Sequence, residues 1–128
     1  MNRRLQEELR LLRIRFSELE QAPEGEWFIV RWPLRTGWNK DEVRVLVQIP
    51  VGYPTSPPDN FYTDLDLRLA NGQMPSNTSP NQVIAGQQWL QFSYHLEANT
   101  WLPHADVSKG HNLLSFLDGV GQRLNEAN

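Results

Sequence analysis

The hydrophobic pattern of this chain changes its period near Pro23 and Gly25, and that change constrains the fold more than any other feature. Upstream, apolar residues recur at spacings of three and four, which predicts an amphipathic helix over residues 2–20 with the stripe Leu5, Leu9, Leu12, Phe16 and Leu19. Downstream, residues 26–49 are rich in β-branched and aromatic residues, and the apolar positions alternate, as at Val43, Val45, Val47 and Ile49. A helix followed by antiparallel strands indicates an α+β fold.

The second half of the chain is less regular until it reaches a closing helix. Residues 60–63 predict a third strand, whereas residues 66–91 carry closely spaced turn signals without a sustained period, which predicts a long loop. From about residue 108 to residue 125 the helical spacing returns, with one apolar face formed by Leu113, Leu117, Val120 and Leu124. The predicted order is helix, β-meander, long loop and helix, in a single domain over residues 1–128.

The composition argues against several classes of function. The net charge is −3 and the pI about 5.6, so we expect no nucleic-acid partner, which would need a basic stripe to neutralise phosphates. No apolar run reaches the length of a membrane span and no signal-peptide core is visible, so we expect a cytoplasmic protein without a membrane partner. The chain has no cysteine, and its three histidines lack a matched carboxylate spacing, so we predict neither a metal site nor a cofactor.

Two proline-containing motifs mark the second half. The first, Tyr53-Pro54-Thr55-Ser56-Pro57-Pro58, follows the predicted strands, and its prolines fix φ, which suits a rigid rim that ends a strand. A polyproline ligand for another domain is the alternative. The second, Trp101-Leu102-Pro103, precedes the closing helix, and its tryptophan is expected to pack in the core. Trp38 and Trp89 are better candidates for a partner surface.

These motifs, in this order, resemble those of the ubiquitin-conjugating superfamily across nearly the whole chain. The first is similar to a Tyr-Pro-x-x-Pro-Pro signature and the second to a Trp-x-Pro element. The chain most resembles the prokaryotic ubiquitin-conjugating-like family E, in which Ser-x-His followed by Trp and Asp replaces the cysteine segment. Here that pattern is Ser93-Tyr94-His95, Trp101 and Asp106. The resemblance implies a ubiquitin-conjugating (UBC-like) fold with an N-terminal helix, an antiparallel β-meander, a long active-site loop and a C-terminal helix.

The resemblance also implies the position of the nucleophile. In members with cysteine that residue lies about eight residues before the tryptophan, and counting back from Trp101 reaches Ser93. A serine hydroxyl needs a nearby base, and His95, two residues away, shares its side of an extended segment. Asp106 is predicted to orient that imidazole. The predicted catalytic residues are therefore Ser93, His95 and Asp106, with an oxyester as the intermediate.

The oxyanion donor in the superfamily is credited to the asparagine of a His-Pro-Asn element. This chain offers Ser79-Pro80-Asn81, which keeps the last two residues but lies farther from Ser93 than in the family. Asn81 is therefore the predicted donor, and Asn99 is a second amide close in sequence.

The partners implied by the resemblance are a ubiquitin-like protein and its activating enzyme. The N-terminal helix, with Arg3, Arg10 and Arg13, is expected to face the activating enzyme, because the superfamily generally docks it there. Two other interpretations remain open. One is a catalytically inactive variant that binds a ubiquitin-like protein or the activating enzyme, and the other is an interaction domain of related fold without a link to ubiquitin-like proteins.

Overall fold

Two helices and six strands make up the structure, a computed structural model that describes residues 1–97 and 99–128. In chain order they are α1 (Arg3–Arg15), β1 (Glu20–Gln21), β2 (Trp27–Pro33), β3 (Glu42–Gln48), β4 (Phe61–Asp64), β5 (Thr78–Ile84), β6 (Gln87–Phe92) and α2 (Leu113–Leu124). All strand pairs are antiparallel, and the order in the sheet is β1-β2-β3-β4-β6-β5. The predicted α+β fold is confirmed. Neither helix of the described ranges is long and apolar enough to cross a membrane.

The alternation along β2 and β3 sends successive side chains to opposite faces of the sheet. On one face, Phe28 and Val45 join a core that also contains the apolar stripes of α1 and α2. On the other face, Leu46 is buried in a smaller cluster with Ile29, Tyr62 and Trp89. Both helices therefore cover the same face, and the period of two predicted from the sequence decides which side chains meet them.

Helix α1 is shorter than predicted. The Asn2 side chain caps its start by accepting the Leu5 N–H at 2.8 Å, and the helix ends at Arg15, with Phe16 as its C-cap, not at residue 20. Leu19 is nevertheless buried, because it reaches the core from the turn that precedes β1. Since β1 pairs with β2, the backbone must be extended from residue 20 onward, and the helix has to stop before it.

The prediction of a long loop over residues 66–91 is wrong in its second part. There β5 and β6 form a hairpin whose two-residue turn, Ala85 and Gly86, has φ values of 52° and 75°. Two successive positive φ values are typical of the tight turns that join antiparallel strands. Strand β5 lies at the sheet edge, is largely exposed, and has an irregular register between Ser79 and Gln82, so its sequence carries no alternating apolar signal.

Two tryptophans predicted for the surface are core residues, so that prediction is wrong. Trp89 is 1% exposed and its Nε1 donates to Ile84 O at 3.1 Å. Trp38 is 7% exposed and its Nε1 donates to Leu124 O at 2.9 Å. Each ring is buried with its N–H satisfied, as expected for tryptophans that fill a core.

Helix α2 starts at residue 113, where Asn112 and Ser115 form a reciprocal capping box, and not at residue 108 as predicted. Its predicted apolar face is confirmed, since Leu113, Leu117, Val120 and Leu124 are all buried. The helix also contains Gly119 and Gly121, although each glycine in a helix interior costs about 1 kcal/mol relative to alanine. A Cβ on Gly121 would lie 2.6 Å from Trp32 Cζ2, so the missing side chain is the space that this ring occupies.

Candidate functional site

The two proline-containing motifs contact each other beside the core. Trp101, 6% exposed, donates from Nε1 to Pro54 O at 2.7 Å, and its ring lies 6.2 Å from that of Tyr53. Tyr53 and Pro58 are buried, as expected of a rim that packs on the domain and not of a free polyproline ligand. The core position expected for Trp101 is confirmed.

The segment that follows β6 carries Ser93 and His95 on its outer side. Burial alternates along it: Phe92 is buried, Ser93 is exposed, Tyr94 packs against the core and His95 is exposed. The Ser93 N–H donates to Asn77 O at 2.9 Å, which continues the pairing of β5 with β6 by one residue. No hydrogen bond joins the Ser93 hydroxyl to His95 among the described residues. Ser93 and His95 lie on the same side of this segment because its backbone is extended, as predicted.

The carboxylate beside His95 belongs to Asp59. This residue directly follows the first proline-containing motif, residues 53–58, here called the proline segment. Asp59 Oδ1 lies 2.5 Å from His95 Nδ1, and the two side chains are 68% and 65% exposed. With Nδ1 occupied by the carboxylate, Nε2 is the nitrogen left for another partner. Sequence reasoning missed Asp59, because nothing in the sequence relates it to a residue 36 positions away.

Asp106, the residue predicted to orient His95, lies in a different set of contacts. Its Oδ1 accepts the Ser108 N–H at 2.9 Å and the Ser108 hydroxyl at 2.7 Å, and its own N–H donates to His104 Nδ1 at 2.8 Å. The Ser108 hydroxyl, followed by the Ser108 N–H, holds the pKa of Asp106 below its usual value. In the described part of the chain no hydrogen bond or ion pair joins Asp106 to His95. The predicted contact is absent from the described residues, and the carboxylate that contacts His95 is that of Asp59.

Asn81, the predicted oxyanion donor, lies in β5 at the irregular point between Ser79 and Gln82, with a φ of 64° and an exposed side chain. The register pairs that part of β5 with residues 89–91 of β6, so Asn81 lies farther along the sheet from Ser93 than Asn77 does. Asn77, which no motif of the sequence marks, also has a positive φ of 58°. Asn99 lies in an exposed turn.

The basic residues proposed for docking line the exposed side of α1. Arg10, 60% exposed, pairs with Glu7 at 2.6 Å, and Arg13 donates to the side chain of Gln21. Arg3 and Arg10 also line a groove of about 660 Å³ beside residues 105 and 107. Among the residues that the structure describes, no group of three or more His, Asp and Glu side chains has the arrangement of a metal site.

Comparisons with known proteins bear on this arrangement. The sequence model of prokaryotic E2 family E matches residues 4–127, which extends from the first turn of α1 to beyond the end of α2. Neither a search of curated proteins nor a search of solved structures returns a match. The match covers nearly the whole chain and agrees with the fold and with the two motifs in contact. The chain therefore belongs to prokaryotic E2 family E, a family with a ubiquitin-conjugating-like role.

Proposed function

We propose that Ser93 accepts the C-terminal carboxyl group of a ubiquitin-like protein from an activating enzyme, as an oxyester, and passes it to an amine. Membership of the family supports the ubiquitin-conjugating-like role and its two kinds of partner. The observation that carries the oxyester is the His95–Asp59 pair at 2.5 Å on the same exposed side as Ser93, in a chain without cysteine.

In this mechanism His95 is the base and Asp59 orients it. With Nδ1 directed to Asp59, Nε2 takes the Ser93 proton as Oγ attacks the carbonyl carbon. The bond from carbon to Oγ forms, the bond to the leaving group on the activating enzyme breaks, and that group receives the proton. An amine then attacks the ester carbon, the amide bond forms, and Oγ leaves and regains a proton from the amine through His95.

An oxyester is less reactive toward amines than a thioester, so stabilisation of the oxyanion matters more here than in cysteine enzymes. Asn81 remains a proposed oxyanion donor, because Pro80-Asn81 matches the last two residues of the His-Pro-Asn element. We add Asn77, because its carbonyl accepts the Ser93 N–H, so that its backbone lies directly beside that of Ser93. Asp106, bonded to Ser108, is given no direct role in proton transfer.

A loading assay tests the proposal. The chain is mixed with its activating enzyme, the ubiquitin-like protein and ATP, and we expect an adduct that survives thiol reductant but is cleaved by hydroxylamine. Ser93→Ala removes the adduct, whereas Ser93→Cys gives one that thiol reductant cleaves. Ser79→Ala, in the exposed edge strand, is the matched serine control and keeps it.

Two results would contradict the mechanism. An adduct that persists in Ser93→Ala places the acyl group on another residue. If the native chain binds the ubiquitin-like protein but forms no adduct at all, the chain is the inactive binding module that the sequence left open.

We propose further that the arginines of α1 face the activating enzyme. The ion pair of Arg10 with Glu7 is exposed and therefore contributes little to stability, so its charge is available to a partner. In the same assay, reversal of Arg10 and Arg13 to Glu slows loading without unfolding the domain. Reversal of Arg31 and Arg35 to Glu, exposed on and after β2, makes the same change in charge and leaves the loading rate intact.

A further inference from the structure

Tyr94 separates Ser93 from His95 and anchors the segment between them. Its ring meets Phe61 and Phe116 edge to face, with centroids 6.0 Å and 5.4 Å away. Its backbone is held from the other side, since its N–H donates to Asn60 Oδ1 at 3.2 Å and its carbonyl accepts the Asn60 N–H at 2.8 Å. Tyr94 thus has both its ring and its backbone in defined contacts.

The ring is seated at a position of α2 that has no side chain. The Tyr94 hydroxyl lies directly over Gly119, where any Cβ would overlap it, and that Cβ would also lie 2.9 Å from the ring carbon Cζ. Glycine is among the least favourable residues for a helix interior, so a packing reason is expected for it there. The overlap supplies that reason, because alanine at residue 119 and the observed position of Tyr94 exclude each other.

The position of the Tyr94 ring affects both residues of the proposed catalytic pair, His95 and Asp59. His95 follows Tyr94 in the chain, and Asp59 precedes Asn60, whose backbone and side chain bond to Tyr94. A shift of the ring out of its seat therefore moves the backbone under His95 and under Asp59. Misplacement of catalytic groups by about 1 Å is enough to slow a reaction by up to about 100-fold.

We propose that Gly119 is a positioning residue: it seats Tyr94 in the core and thereby holds Ser93 outward and His95 against Asp59. Its effect on catalysis rests on the proposed function, whereas its effect on the His95–Asp59 contact does not. The two are therefore measured separately.

The test compares two substitutions in one helix. Gly119→Ala displaces Tyr94, and Gly121→Ala displaces Trp32, a residue of β2 whose ring stacks on Phe16 at the end of α1. We expect Gly119→Ala to slow adduct formation about 10- to 100-fold and Gly121→Ala to leave its rate unchanged. The ¹⁵N shifts of the His95 ring, which report the hydrogen bond from Nδ1 to Asp59, change only in Gly119→Ala.

A second variant keeps the test decisive if alanine at residue 119 perturbs folding. Removing the hydroxyl in the double variant Tyr94→Phe/Gly119→Ala relieves the closest overlap and leaves only the 2.9 Å contact with Cζ. Its rate and its His95 shifts therefore move from those of Gly119→Ala toward those of Tyr94→Phe alone. The proposal is overturned if both glycine substitutions slow the reaction equally, or if Gly119→Ala leaves the His95 shifts unchanged. If the native chain forms no adduct, the proposed function fails, and the His95 shifts still decide the role of Gly119.

Discussion

The carboxylates of Glu8 and Asp59 meet opposite ends of the proline segment, one inside the core and the other in solvent. Glu8 is 3% exposed and accepts three hydrogen bonds: from the Tyr53 hydroxyl at 2.7 Å, the Leu113 N–H at 2.7 Å and Arg4 Nε at 2.9 Å. Asp59 is 68% exposed, and its hydrogen bond in the structure is to His95. The same chemical group therefore connects elements in one place and orients a side chain in the other.

The difference follows from burial. A buried carboxylate is tolerated only when its lone pairs are satisfied, and Glu8 finds its donors on three different parts of the chain: α1, the proline segment and the start of α2. An exposed pair gains little free energy because water screens it, which leaves Asp59 and His95 accessible to a partner. Stability and proposed chemistry are thus carried by opposite ends of one rigid segment.

The largest expected effect tests the buried end. Glu8→Ala leaves the donors of Arg4, Tyr53 and Leu113 without their acceptor, and we expect the free energy of unfolding to fall by about 3–5 kcal/mol. Equilibrium unfolding in urea measures it. Glu7→Ala, at the more exposed neighbouring position, serves as the control and changes it by about 0.5 kcal/mol or less. A loss below about 1 kcal/mol for Glu8→Ala would show that the network does not connect these elements.

The second largest effect concerns Asp59, at the exposed end of the proline segment, and is a change in the rate of adduct formation. Asp59→Asn removes the charge that orients His95, and we expect adduct formation to slow by at least about tenfold while the free energy of unfolding changes by less than about 1 kcal/mol. Asp106→Asn is the discriminating comparison, measured in the same loading assay. A larger loss of rate in Asp106→Asn than in Asp59→Asn would show that Asp106, the residue predicted from the sequence, orients His95, and that Asp59 does not.

The smallest effect is a pH dependence at the buried end. Burial, and then the hydrogen bond to Glu8 and its charge, raise the pKa of Tyr53 far above its ordinary value of 10.0. The folded state therefore keeps this phenol neutral at a pH where the unfolded chain ionises it, so its contribution to stability is complete below about pH 10 and is lost as the pH rises further.

The substitution Tyr53→Phe removes the contribution of the Tyr53 hydroxyl to stability, so that it can be measured. Near neutral pH the variant is expected to be less stable by about 1–1.5 kcal/mol, for the lost hydrogen bond. Above about pH 10 the difference between the native chain and the variant should shrink, by up to about 1.4 kcal/mol per pH unit. Urea unfolding between pH 7 and pH 11 measures both, and a difference that stays constant over that range would contradict the assignment.

The part of the site that could be predicted is the part encoded locally. Ser93 and His95 are two residues apart, so an extended backbone is enough to bring them to one side, and the alternating burial agrees. Asp59 could not be predicted, because its contact with His95 joins segments 36 residues apart. The family pattern predicts Asp106 in that place, but its carboxylate is satisfied by the nearby Ser108.

By itself the sequence determined what depends on periodicity and on stiff or capped positions: an amphipathic helix at each end, strands with one face toward them, a proline rim and the family pattern. Only the tertiary structure decided which strand lies between β4 and β5, which tryptophans fill the core and which carboxylate reaches His95. Strand order, core filling and contacts across the chain depend on groups distant in sequence, so no local pattern of residues encodes them. An edge strand such as β5 need not bury a face, and its sequence therefore carries no alternating apolar signal.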